Sequence, residues 1–257
     1  IENQAVFDLL SSITSPSHQI HNFTDTLAKL KIDDLLIKEL NQNPSEIKKA
    51  HIFYIIRNCA KNPSFSELFN TQSIINVLSK FLPCKDHLTN GHLWQALSAI
   101  CSEETYSQMN DILQQAFKIA SEPIYEIHME HTCLWDFLGK MLLYHNDPEF
   151  GNEYQLNHMI INLMVQYPNN SNLIGALFRF IRNGLKVPGY ATKVITDFVP
   201  LMITLIDEND SNYECINYIK QSADRGNILA MLIYGEILYD GDIVYADKQE
   251  ASRYYKK

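Results

Sequence analysis

The chain is 257 residues long and carries 30 acidic against 21 basic residues, a net charge of −9. That length suits one large or two small domains, and that acidity argues against nucleic acid or anionic membrane as main partner, because both select basic surfaces. Hydrophobic residues at 46% are ordinary for a folded domain, and the longest apolar candidate, residues 194–206, is broken by Thr196, Asp197, Pro200 and Thr204, so no membrane span is expected.

The predicted elements are helices throughout. Asn43-Pro44-Ser45-Glu46 opens a helix burying Ile47, Ile52, Phe53, Ile55 and Ile56, with Asn43 or Ser45 as cap. Asn62-Pro63-Ser64 does the same before Phe65, Leu68 and Phe69. Apolar spacing predicts further helices near 72–82, 90–102, 105–120, 124–144, 153–167, 171–184 and 190–206. No segment alternates as a strand would. Short connections rich in Pro, Asn and Gly make consecutive helices antiparallel neighbours, in a bundle or a solenoid.

One internal echo bears on that choice. Phe53-x-Ile55-Ile56-Arg57-Asn58-x-x-Lys61-x-Pro63-x-Phe65 matches Phe178-x-Phe180-Ile181-Arg182-Asn183-x-x-Lys186-x-Pro188-x-Tyr190, 125 residues later. That offset is about three periods of 42. The physical reading is a helix ending in Arg-Asn, with arginine at the negative helix end and asparagine as cap. In pattern and period residues 1–206 resemble a divergent armadillo/HEAT-like α-solenoid. The resemblance suggests Asn58 and Asn183 as candidate peptide-binding residues, beside their capping reading.

The last 43 residues are more specific. They contain Ala223-x-x-Gly226, Ala230, Tyr234-Gly235, Gly241, Val244, Asp247, Ala251 and Tyr254-Tyr255. This spacing resembles the Sel1-like repeat, a relative of the tetratricopeptide helix pair, over residues 207–257. The resemblance implies helix A near Asn227–Tyr239 and helix B near Asp247–Lys257. It implies close helix approach at Ala230 and Ala251, turns at Gly226, Gly235 and Gly241, a cap at Asp247, and groove filling by Tyr254 and Tyr255. Leu238 and Ile243 depart from the family's usual aromatic and glycine. Helix Tyr213–Ala223 would precede the pair. Because so few helices cannot bury their faces alone, and the chain starts at Ile1 rather than Met, it is expected to be a piece of a longer protein.

Little points to chemistry. His128-Met129-Glu130-His131-Thr132-Cys133, with Glu126 near, is the densest ligand-type cluster. It lacks His-Glu-x-x-His and a third ligand at diagnostic spacing, so no metal or other cofactor is expected. No oxyanion hole or orienting third group accompanies Cys133, which reads as a core thiol. Cys59, Cys84, Cys101, Cys133 and Cys215 are scattered without a CxxC, as reduced thiols of a cytoplasmic or nuclear protein would be. Trp94 and Trp135 lie on apolar faces. Arg179, Arg182 and Lys186 share one helical flank in an acidic chain, a candidate seat for an acidic or phosphorylated peptide. The sequence therefore reads as all-α, an armadillo/HEAT-like solenoid followed by the start of a Sel1-like array. It serves as a non-catalytic scaffold or adaptor for a protein or peptide. The alternative is a regulatory domain of a signalling enzyme, with a kinase in cis or a phosphatase in trans.

Overall fold

The computed structural model describes residues 31–62, 65–84, 86–191, 193, 220, 223–224, 231, 234–235, 237–239, 241 and 245–256. They are helical with connecting turns, and no strand occurs among them. They fall into two compact units, one within 1–156 and 169–190, the other within 157–168 and 191–257.

In the first unit α1 (Ile32–Asn41) is followed by α2 (Glu46–Lys61), the short α3 (Ser66–Phe69), α4 (Gln72–Ser79), α5 (His87–Ile100), α6 (Asn110–Ala120), α7 (Met129–His145) and, after a helix of the second unit, α9 (Ser171–Gly184). That intervening helix is α8 (Leu156–Gln166), and the last described helix is α10 (Lys248–Lys256). Four of these are long, and they start at residues 46, 87, 129 and 171, a spacing of 41–42 residues. Each packs on the next: α2 on α5, α5 on α7, and α7 on α9.

The starts follow from local chemistry. Ser45 accepts a hydrogen bond from Lys48 N at the head of α2, Asp86 from Thr89 N at 2.7 Å for α5, and Asn170 from Leu173 N at 3.0 Å for α9. Each satisfies an amide that the first helical turn leaves free. Helix α7 begins at Met129, later than the expected 124. The extended backbone of His128 sets the start of the helix at Met129. The His131 ring then reaches back to accept from His128 N at 3.0 Å. The expected 105–120 and 153–167 helices are each split into a 3₁₀ turn and an α-helix, Tyr106–Met109 before α6 and Asn152–Tyr154 before α8.

Apolar side chains run through the stack. Trp94 of α5 meets Phe137 of α7 at 5.3 Å between ring centroids, and Trp135 of α7 meets Phe180 of α9 edge-on at 5.6 Å. All four rings are fully buried. A side chain of this size contributes about 1.5–3 kcal/mol on burial. Close approach of α7 and α9 depends on Gly139, where an added Cβ would lie 3.1 Å from the Phe180 Cα.

Four positions paired by the sequence echo share a buried environment, whereas Phe53 is buried and Phe178 half-buried, and Arg57 is half-buried and Arg182 exposed. Ile55 and Phe180, Ile56 and Ile181, Asn58 and Asn183, and Phe65 and Tyr190 are all buried.

Candidate partner-binding face

Each long helix buries most of its circumference and leaves one polar flank. On α7 the buried set is Cys133, Leu134, Trp135, Phe137, Leu138, Gly139, Met141 and Leu142, which leaves Asp136 and Lys140 one turn apart at the surface. On α2 the flank is His51, Tyr54, Arg57 and Lys61, at intervals of three to four. On α5 it includes His92 and Gln95, and on α9 Arg179 and Arg182, followed by Lys186.

These flanks adjoin. Tyr54 meets His92 edge-on at 5.8 Å, and the Arg57 guanidinium lies 5.7 Å from the Tyr54 ring centroid. Lys140 reaches back from α7 to donate to Ser98 O at 2.7 Å and Cys101 O at 3.3 Å on α5. Arg179 holds Asp136 in a two-pronged contact, Nε to Oδ1 at 2.7 Å and a terminal nitrogen to Oδ2 at 3.0 Å. The result is a strip across α2, α5, α7 and α9 that carries Arg57, Lys61, Lys140, Arg179 and Arg182.

The electrostatics agree with that placement. Burial lowers the Lys61 pKa, and the neighbouring Arg57 and Lys140 lower it further, with Asp136 opposing. Burial also lowers Lys140 and His92, and Arg57 and His51 add to the effect on His92. The Nε of Arg57 and the Nδ1 of His92 are buried atoms without a hydrogen-bond partner among the described residues. The strip thus holds several partly desolvated cations, with Asp136 as the carboxylate that reaches them.

The anticipated residues are distributed unevenly. Arg182 and Lys186 are exposed, whereas Arg179 is already engaged by Asp136. Asn58 and Asn183 are neither caps nor surface groups. They lie within their helices, whose C-cap residues are Asn62 and Leu185, and their side chains are buried. Asn183 donates to Gly139 O of α7 at 2.9 Å and so fastens two helices. Arg57, Lys61 and Lys140 were not anticipated as site residues. The spacing of His51, Tyr54, Arg57 and Lys61 on one flank was the available signal.

No family model matches the chain, nor does any curated protein or solved structure.

The histidine cluster has a structural use. His87 Nδ1 and Asn90 Nδ2 bind the two carboxylate oxygens of Glu130 at 2.6 and 2.7 Å, and His87 stacks on His128 at 4.0 Å. These contacts tie the first turn of α5 to that of α7. No group of three or more metal-ligating side chains is arranged to hold an ion among the described residues. No helix among them is long and apolar enough to cross a membrane.

In the second unit, Gly226 and Ala230 lie outside the described residues. Ala251 is fully buried. Asp247 accepts from Glu250 N at 2.8 Å and so caps α10. Gly241 has φ +75°, and a Cβ there would lie 2.5 Å from that of Ala246, a turn that requires glycine. Gly235 admits the Tyr255 ring, whose Cε1 would be 2.8 Å from an added Cβ. Tyr254 packs edge-on against Tyr234 at 5.1 Å and donates its hydroxyl to Asp224 at 2.6 Å.

Proposed function

We propose that the chain is a protein-binding scaffold or adaptor: an armadillo/HEAT-like solenoid joined to the beginning of a Sel1-like array, engaging a protein partner through the strip across α2, α5, α7 and α9. The observation that carries this reading is the succession of long helices every 41–42 residues, each packed on its neighbour and each contributing polar residues to the same flank. Sequential packing of this kind spends chain length on surface rather than on one enclosed core. The second unit supports the Sel1-like part at the positions it describes: a buried Ala251, a capping Asp247 and paired tyrosines 234 and 254.

Crosslinking of the partner-bound chain tests the reading. Lysine crosslinks to the partner should concentrate at Lys61, Lys140 and Lys186, and be sparse at Lys80 and Lys118, which lie outside the strip. Crosslinks spread evenly over all five would remove the strip from the interface. Turnover of a small molecule by the purified chain would overturn the scaffold reading.

A further inference from the structure

We propose that the strip receives an extended, carboxylate-rich segment of the partner protein. This inference rests on the scaffold reading and adds the chemistry of the occupant. Three observations carry it.

The first is charge. The chain is strongly acidic overall, yet Arg57, Lys61, Lys140, Arg179 and Arg182 lie on the flanks of α2, α7 and α9, helices linked through α5 in the packing order, with Lys186 just past the end of α9. Like charges brought together repel, as the neighbouring cations do at Lys61. A ligand that supplies carboxylates relieves that repulsion, and the acidic remainder of the molecule restricts where such a ligand settles.

The second is geometry. The cations come from helices along the packing order, Arg57 and Lys61 on α2, Lys140 on α7 and Arg179 and Arg182 on α9, with Arg57 and Lys140 near Lys61. Four helices with about 8–10 Å between neighbouring axes span roughly 24–30 Å. An extended chain covers that distance with about eight or nine residues. A distributed row of cations fits carboxylates spaced along a strand.

The third is that the strip already binds one carboxylate in this manner. Arg179 grips Asp136 with two parallel N–H donors. Exposed Arg182 and Lys186 provide further donors beyond it.

The test is fluorescence anisotropy on the intact chain with a labelled peptide of about nine residues, alternating Glu with Asn, against the same peptide with Gln for Glu. The Glu peptide should bind at least about tenfold more tightly than the Gln peptide, and added salt should weaken it. Lys61→Glu and Lys186→Glu, at exposed positions on opposite sides of the stack, should each weaken binding about fivefold or more, while Lys118→Glu on α6 leaves it unchanged. Arg57→Gln should weaken it as well, and melting curves of each variant verify the fold. Equal binding of the two peptides overturns the proposal, as does failure of the Glu peptide to bind. An equal loss in Lys118→Glu overturns it too. If a peptide with one phosphoserine binds more tightly than the Glu peptide, and depends on only one side of the stack, the carboxylate assignment is wrong. Should partner crosslinks at the strip persist when the Glu peptide fails, only the ligand chemistry falls; if both fail, the interface reading falls with it.

Discussion

At the scale of single residues, the two asparagines separate what sequence conveys from what it hides. The echo brings Asn58 and Asn183 into correspondence, and both are buried. Their use was not legible, because an asparagine near a helix end caps it, faces a ligand or bonds a neighbouring helix with the same local pattern. Only packing decides, and for Asn183 the partner is the Gly139 carbonyl, 44 positions earlier. Replacing Asn183 by Leu removes the side-chain donor from a carbonyl that keeps its place in the α7 ladder, and should cost about 1 kcal/mol in chemical denaturation. Gly139→Ala, which presses a methyl on the Phe180 backbone, should cost about 1–3 kcal/mol. If either variant unfolds like the parent chain, the α7–α9 contact is looser than described. The core placement of Cys133 was legible from the sequence, and Cys133 is buried. Burial pushes the thiols of Cys59 and Cys101 up to about 12, and those of Cys84 and Cys133 to about 11. At neutral pH these four should resist alkylation until the chain unfolds, as mass spectrometry after brief labelling will show.

At the scale of elements, the starts of α2 and α9 were legible from the sequence, whereas α5 begins at His87, ahead of the expected 90, and α3 starts at Ser66 with no side-chain cap. Ser45, Asp86 and Asn170 each accept from the third residue on. Asp86→Ala should cost about 1 kcal/mol at neutral pH, measured by thermal unfolding. The start of α7 was misjudged because its cap is a histidine pair, which no propensity rule anticipates. That pair also predicts a pH response. Burial lowers the pKa of His131, with Glu130 opposing and His128 and His87 adding like charge when protonated. Burial likewise lowers His92, beside Gln95, Arg57 and His51. In the unfolded chain both protonate near 6.5, and in the folded chain only at lower pH. As pH falls below 6.5 the unfolded state takes up protons first, so the stability present above that value is lost towards the folded values. The melting temperature should therefore drop between about pH 7 and 5, and His92→Gln with His131→Gln should reduce this drop. An unaltered pH profile in the double variant would assign the acid sensitivity to other groups.

At the scale of the whole molecule, all-helical character and the 42-residue period were readable from sequence, because amphipathic spacing and cap chemistry are local. The order of packing was not, since a run of antiparallel helices satisfies the same pattern by closing into a bundle or by stacking in a line. The two arrangements differ in how energy is shared. In a linear stack each helix couples to its neighbours, and stability is close to a sum over interfaces. In a closed bundle the first and last helices share a core. Phe53 on α2 and Phe180 on α9 test this, because each is fully buried and two long helices stand between their own in the packing order. Phe53→Leu and Phe180→Leu should each destabilise, and the double variant should equal their sum within about 0.3–0.5 kcal/mol. Trp94→Phe with Phe137→Leu, residues whose rings touch across α5 and α7, should instead show a coupling of about 0.5 kcal/mol or more. Denaturant unfolding of the two double-mutant cycles provides the measurement. A coupling between Phe53 and Phe180 as large as that between Trp94 and Phe137 would mean that α2 and α9 meet, and a strip laid across four helices in a row would then have no continuous face to occupy.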